Sequence, residues 1–384
     1  MNRIYLDNGS TSFPKAPGVS RAVADYIDNV GVNISRGGYE EAYCAATIVL
    51  ETREYLCRLF GSSKPENVIF TAGVTTALNI LLKGFLKPGD HVLTTSMEHN
   101  AVMRPLRQLE AAGVEISLIP CKIDGTLCTE KISEMIRNNT KLLVMTHGSN
   151  VCGTVMPVAD VCRICRKKNI PVFVDSAQTG GLIPLDMEGM GIDAIAFAGH
   201  KSLLGPQGIG GFILSDQMIS RIDPLISGGT GSISHLETIP SFMPDRFECG
   251  TQNLPGIYGL HTSLDFIEKT GIDVIHKHEM QCTQQLIDGL LKLDDVRIAG
   301  LTTTDGRTAA VSADFTSIDN AQMAFELEHQ YGIMTRCGLH CAPSAHKTLH
   351  TYPQGTVRFT PGYSTTEEEI ELTLKAVRAI LSGN

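Results

Sequence analysis

Lys201, Asp175 and Cys341 carry reactive groups in settings an ordinary surface residue would not choose. Lys201 sits in "AFAGHKSLLGPQGIGG" (196–211), between small apolar runs, with Gly199-His200 before it and Gly205-Pro206 after it. Most lysines are solvated, because desolvating an ammonium costs several kcal/mol or drives its pKa down. A lysine held in apolar surroundings is instead a nucleophilic amine, able to form a Schiff base with a carbonyl compound. Asp175 closes the apolar run "PVFVD", and Gln178 follows within a turn. A carboxylate there either caps a helix or faces a cation across a cleft. Cys341 follows Arg336, Gly338 and His340 in "MTRCGLHCAPSAHKTLH" (334–350). A thiol at the start of an apparent helix, beside an arginine and a histidine, is expected to be thiolate-rich near neutral pH; the plainer reading is a buried apolar cysteine.

Such groups need elements to bring them together. Short apolar runs at 67–73, 90–96, 114–120, 141–150, 171–177, 193–199 and 208–215 alternate with helical stretches such as "VTTALNILLKGFL", "AVMRPLRQLEAAG" and "VADVCRICRKKN". This pattern predicts an α/β fold, a mostly parallel sheet of seven strands covered on both faces. Ligands in such folds sit beyond the carboxyl ends of the strands. Gly73 to Thr75, Glu98-His99, Ser149-Asn150, Asp175 and Lys201 all fall there. After about Thr262 the character changes. One helix over 262–293 precedes the strand-like "VRIAG", "TAAVSADF", "IMTRCG" and "GTVRFTPG" and a final helix, which Thr365 or Thr366 with Glu368 or Glu369 would open as a capping box. The expected division is a large domain over 15–260 and a smaller α+β domain from 1–14 and 261–384.

A Schiff-base lysine, a carboxylate for a pyridinium proton and a phosphate cradle are what pyridoxal 5'-phosphate requires. The cradle candidate is Gly73-Val74-Thr75, where free backbone N–H groups at a helix start and the Thr75 hydroxyl would receive the phosphate. His99 is placed to lie flat against a ring.

With these residues in hand, the chain resembles the class V, fold-type I aminotransferases, and within them the short-loop cysteine desulfurase and selenocysteine lyase group. The resemblance runs from "IYLDNGSTSFP" through "FTAGVTTALN", "MEHNAV", "SNVCGTVMPV", "VDSAQ", "AGHKSLLGPQGIG", "RFECGTQNLPGI" and "RCGLHCAP" to "TVRFTPGYSTTEEE". It implies pyridoxal phosphate as cofactor, with Lys201 forming the Schiff base, Asp175 on the ring nitrogen, Gln178 on the ring hydroxyl and His99 stacked on the ring. Asn150 lies near the cofactor. Val74, Thr75 and His200 contact the phosphate, joined by Thr251 from the other subunit of a homodimer whose active site closes across the interface. Arg358 binds the substrate carboxylate, and Arg336, Asn33, Asn8 and Gly9, with Arg36, border the substrate. The implied reaction takes L-cysteine to L-alanine and leaves the sulfur on Cys341 as a persulfide for an acceptor protein, as in iron–sulfur cluster assembly. A selenocysteine lyase, or an aminotransferase or epimerase on the same fold, is the alternative. The chain departs from the pattern at Ala198, where the family has Ser or Thr, at Ser35, often His, and at Cys337, read as a passive neighbour of the nucleophile.

The remaining features exclude rather than select. Lys and Arg total 32 against 41 Asp and Glu, a net charge of -9, which argues against a nucleic acid or an anionic membrane as partner. No stretch approaches a membrane span, and eleven scattered cysteines read as reduced thiols in a cytoplasm. Cys162 and Cys165 form a C-x-x-C on a helix, read as two apolar side chains on one face. No metal is expected, although His340, Cys341, His346 and His350 make the rival reading of a metal or redox-binding protein.

Overall fold

The structure is a computed structural model that describes residues 3–34, 37–233 and 235–383. Its centre is a seven-stranded sheet in the order Val68–Thr71, Gly210–Leu214, Ala194–Ala198, Val172–Asp175, Thr140–Thr146, His91–Thr95, Glu115–Ile119. The five strands from Ala194–Ala198 to Glu115–Ile119 pair in parallel, whereas Gly210–Leu214 is antiparallel to both of its neighbours. Six of the seven strands lie within their expected runs, and Thr140–Thr146 begins one residue before its own. The central strands are apolar on both faces because helices cover both: Phe173, Phe197 and Phe212 are wholly buried, each contributing roughly 2–3 kcal/mol by leaving water.

A four-stranded antiparallel sheet, ordered Arg336–Gly338, Thr356–Phe359, Val311–Phe315, Val296–Ala299, has a separate apolar core with Cys282, Leu286, Met323, Ile370 and Val377. The N-terminal segment joins this part. Ile4–Tyr5 pairs in parallel with Ile333–Met334, and Asp7 bridges to Thr360. The chain then crosses to the large sheet as an arm, where Ser12 N–H and both the Thr11 and Ser12 hydroxyls donate to the His200 carbonyl.

Two expectations change. The helix foreseen over 262–293 is two helices, Leu254–Thr270 and Ile272–Leu290, broken at Gly271 with φ of 89°. An L residue pays a steric cost in that left-handed conformation, so glycine turns the chain there. The last helix, Glu367–Leu381, does open on a capping box, and of the residues named it is Thr366 and Glu369 that form it, at 3.2 and 2.8 Å. Among the described residues no helix is long and apolar enough to cross a membrane.

Candidate active site

Asp175 is the last residue of Val172–Asp175 and pairs in register with Ala196 of the strand that leads to Lys201. Parallel neighbours ending at one edge place both side chains in one cleft. Asp175 is 3% exposed and its carboxyl accepts one hydrogen bond, from the Ala177 N–H at 2.9 Å. Burial raises its pKa, opposed by the Ala177 bond and by the Lys201 charge. Burial likewise brings Lys201 down to about 8, against the pull of Asp175 and with the push of Arg358 and Arg336. Near neutral pH a minority of this amine, far more than of an ordinary lysine, is free of its proton, which a nucleophile requires.

His99 caps helix Asn100–Ala111, its Nδ1 accepting from the Ala101 N–H at 3.0 Å. That bond assigns the tautomer: the neutral ring carries its proton on Nε2. Desolvation and the surrounding cations, Lys201 first, bring its pKa to about 4. At pH 7 His99 is therefore a neutral N–H donor with an uncharged ring face, suited to lying against an aromatic cation and to donating a hydrogen bond. It has no free lone pair with which to take one. Lys201 is the base this geometry offers.

The Cys341 loop differs from expectation. Cys341 does not open a helix: Pro343–Thr348 starts two residues later, and His340 and Cys341 both take left-handed backbone, φ 45° and 57°. Such conformations cost about 1–2 kcal/mol each for residues with a Cβ, and the loop holds them with strong bonds. The Asn150 amide donates to the His340 carbonyl at 2.7 Å, and the Asn100 N–H donates to the Cys341 carbonyl at 2.7 Å. The Asn150 amide is thus spent on the loop. His340 turns inward, to Thr356 Oγ1 at 3.1 Å and against His346, and burial takes its pKa down to about 2. It supplies no positive charge to the thiol. Arg336 does: its Nη2 donates to Cys341 Sγ at 3.9 Å, and the thiol is exposed. Cys337 follows Arg336 in a strand, so its side chain leaves the opposite face of the sheet.

Arg358 lies 1% exposed at the floor. Its Nη2 donates to Asp7 and Ser10 Oγ at 2.8 and 2.9 Å, its Nη1 to the Asn150 carbonyl at 2.8 Å, and its Nε is buried without a partner among the described residues. Arg336 Nη1 shares Ser10 Oγ at 2.7 Å. The N-terminal arm thus sets both guanidinium groups. A Cβ on Gly9 would come to 3.0 Å from Arg358 Cζ, so only glycine lets the arm pass this close. Asn8 donates to the Thr360 carbonyl at 2.9 Å, and Gln178 donates its amide to the Gly9 carbonyl at 3.0 Å. Lys15, which the sequence reading passed over, ties the arm to the Lys201 loop through Thr11, Ser12 and the His200 carbonyl at 3.0, 3.1 and 2.8 Å. Its signal was the "FPKAP" following the arm.

These side chains fit pyridoxal phosphate on their own terms. No hydrogen bond among the described residues uses the Lys201 amine, and Asp175 has carboxyl capacity to spare. The helix Val74–Phe85 begins at Gly73 with no side-chain cap, leaving its first N–H groups and the exposed Thr75 open, and a Cβ on Gly73 would meet nothing within 4 Å. His200 Nδ1 faces Thr11 Oγ1 at 3.1 Å, and Ala198 ends its strand buried with no hydroxyl to offer. Asn33 and Thr251 are not brought to Lys201. They line a surface depression of their own with Tyr39 and Thr230. Arg36 and Ser35 lie outside the described residues. Burial pushes the Cys162 and Cys165 thiols up to about 12, which leaves them protonated. Among the described residues no three His, Cys, Asp or Glu side chains are grouped to hold a metal.

The same burial sets a pH dependence. His99, His147, His200 and His346 are lowered from 6.5 to about 4, and His340 further, so between those limits the unfolded chain binds more protons and stability rises with pH. Burial lifts Glu98 and Glu279 from 4.5 to about 8, so the folded chain keeps protons the unfolded one has lost and stability falls with pH across that window. Five histidines outweigh two glutamates below pH 6.5, and above it the histidine contribution is complete. The thermal midpoint should therefore peak near pH 6.5 and decline towards pH 8, with Glu98→Gln flattening the decline. A midpoint climbing steadily to pH 8 contradicts this assignment.

The sequence profile of the aminotransferase class-V family matches residues 4–373. A protein of Methanothermobacter thermautotrophicus described as a probable cysteine desulfurase is 32% identical over 97% of this chain and 93% of its own. A cysteine desulfurase of Haloferax volcanii is 30% identical over 90% of this chain and 82% of its own. Among solved structures, the apo cysteine desulfurase of Thermococcus onnurineus NA1 superposes with a TM-score of 0.92 at 28% identity, covering 100% of this chain and 95% of that one. With a matched profile spanning both sheets and the arm between them, the chain belongs to the aminotransferase class-V family.

Proposed function

We propose that this chain is a pyridoxal-phosphate-dependent cysteine desulfurase, a sulfurtransferase that converts L-cysteine to L-alanine. The observation that carries the reading is the exposed Cys341 thiol beside Arg336, on a loop fastened to the cap of the His99 helix and facing the cleft of Lys201 and Asp175. A transaminase or epimerase has no use for a thiol there.

Bound pyridoxal phosphate supplies an electron sink that labilises bonds at the substrate Cα and Cβ. The protein does the rest. Asp175, buried in the cleft, would face the ring nitrogen and favour a positive charge there. The open helix start at Gly73–Thr75 receives the phosphate. Arg358 offers its unpartnered Nε, and an Nη2 shared with Asp7 and Ser10, to the substrate carboxylate. Lys201 is the base placed to take the Cα proton, and His99 would offer its Nε2–H as a hydrogen-bond donor beside the bound group. Cys341 thiolate then attacks the substrate sulfur: a sulfur–sulfur bond forms, the Cβ–S bond breaks with its electron pair left on carbon, and protonation there gives alanine. The product on the protein is a Cys341 persulfide, whose exposure lets a partner's thiol collect the outer sulfur for a use such as iron–sulfur cluster assembly.

The active chain, in our reading, is a homodimer. Asn33 and Thr251 share a depression away from Lys201, beside exposed apolar Tyr39, and Ile27, Tyr43, Leu225 and Ile226 are also exposed. A second copy covering this face would receive Thr251 at its phosphate. The free thiols suit a reducing, cytoplasmic setting. With L-cysteine and a reductant, the purified protein should sediment as a dimer and release alanine and sulfide in equal amounts. Alanine with no sulfide, sulfide with pyruvate, or turnover of selenocysteine alone would each replace this reading.

A further inference from the structure

One buried carboxyl behind Lys201 has no part in the scheme above. Glu279, on helix Ile272–Leu290, is 8% exposed, and no hydrogen bond among the described residues uses its carboxyl group. With Lys201, Gln178, Thr308 and Thr360 it lines a cavity of about 30 Å³ where the two domains meet the N-terminal arm. The hydroxyls of Thr308 and Thr360 are themselves buried without partners among the described residues. A water needs about 10–15 Å³ of such room and two to four polar partners, so this cavity is large enough for one or two waters and polar enough to keep them. A carboxyl left there with no partner, beside two orphaned hydroxyls, would be a costly arrangement in a dry cavity.

The surrounding groups leave Lys201 as the one to exchange with. Tyr363 lines the same cavity, but its hydroxyl donates to the Lys15 carbonyl at 2.9 Å and burial raises its pKa. Cys282, three residues along the helix, donates to the Thr365 carbonyl at 3.4 Å and is pushed up to about 11. His278 faces the same carbonyl through Nε2 at 2.8 Å. Lys201 enters from the large domain with an amine that no described residue bonds.

We propose that Glu279 is a positioning residue for Lys201, a proton reservoir joined to its amine by one or two waters anchored on Thr308 and Thr360. This rests on Lys201 being the reacting amine. Near pH 8, where both groups titrate, an ammonium at Lys201 that holds the proton removed from substrate passes one to the nearest water, that water passes one on, and an ionised Glu279 carboxylate becomes a carboxylic acid. The reverse transfer restores both groups, with no net gain or loss.

The test uses full-length protein freed of carbonyl compounds. The reactivity of Lys201 with an amine-selective acylating reagent is followed against pH by mass spectrometry of its peptide. In Glu279→Gln the midpoint should fall by about half a unit, because the partial negative charge that Glu279 carries near pH 8, which favours the ammonium, is gone. Thr308→Val with Thr360→Val should slow amine exchange with the cavity and shift the midpoint less. A high-resolution crystal structure of the unaltered protein should show ordered water bonded to the Glu279 carboxyl and to a threonine hydroxyl or Lys201. An unshifted midpoint in folded Glu279→Gln overturns the proposal, and so does a dry cavity in the crystal, whether or not the variant folds. Neither readout involves cysteine: if the shift and the waters are found but no desulfuration, the substrate assignment fails and the relay stands.

Discussion

Cys341→Ala protein should bind pyridoxal phosphate as the unaltered protein does, with the same yellow colour and thermal midpoint, and yet release sulfide from L-cysteine at least ~10³-fold more slowly. Geometry separates the two outcomes. The groups that fit the cofactor, Lys201, Asp175, His99 and the helix start at Gly73, are carried on the large sheet, whereas the thiol sits on a loop of the small domain that touches them through backbone bonds. Those bonds run from Asn100 N–H to the Cys341 carbonyl and from Asn150 to the His340 carbonyl, and an alanine keeps both. Backbone strain at 341 is also unchanged, since alanine has the same Cβ. The substitution therefore removes a sulfur and little else. Cys337→Ala is the control: its side chain leaves the other face of its strand, and desulfuration should stay within about twofold of normal. Loss of activity in both variants would mean that the loop, rather than its thiol, is what matters. Full activity in Cys341→Ala would take the nucleophile away from this position altogether.

How far the sequence disclosed this site depended on the kind of feature. The strands of the large sheet were legible because runs such as "PVFV" and "AIAFA" are apolar at every position, as expected of a strand buried on both faces. Once the strands were placed, Asp175 and Lys201 had to meet, because parallel neighbours end at one edge. The break at Gly271 was hidden, since "EKTGIDVIHKHE" keeps helical spacing through a single glycine and one residue of left-handed backbone leaves almost no compositional trace. The same blindness misplaced Cys341. "HCAPSAHK" reads as a helix start, but Pro343 fixes the true first turn two residues later, and two consecutive left-handed residues are held there by Asn100 and Asn150, far away in sequence. His340 was misread for a related cause: proximity in sequence says nothing about which way a side chain turns, and Thr356 and His346 draw this one inward. The arm was the largest omission. Lys15 and Ser10 act through contacts with residues 185 and more positions away, and no local pattern encodes those.

Lys201→Ala should leave a folded protein that stays colourless with added pyridoxal phosphate and has no measurable desulfurase activity, a loss larger than that of Cys341→Ala. The amine is both the attachment point and, in our scheme, the base at Cα, and nothing nearby can replace it. Lys15 is the nearest rival, also brought to about 8 by burial, but its ammonium is committed to Thr11, Ser12 and the His200 carbonyl. His99 cannot stand in as base, because Ala101 occupies Nδ1 and Nε2 holds the proton. Folding should survive and even improve slightly, since the substitution removes an ammonium that the fold desolvates, although Asp175 then loses its cationic neighbour. That loss gives a second readout. Asp175 is already raised by burial, so without the Lys201 charge it should be protonated over a wider range of pH in the folded chain, and the stability of Lys201→Ala should fall further as pH rises from the ordinary carboxylate range. Lys201→Arg keeps a positive charge beside Asp175 and should restore the pH dependence without restoring colour or activity. If Lys201→Ala still takes up the cofactor covalently, the reacting amine is elsewhere and the chemistry assigned to this cleft has to be moved with it.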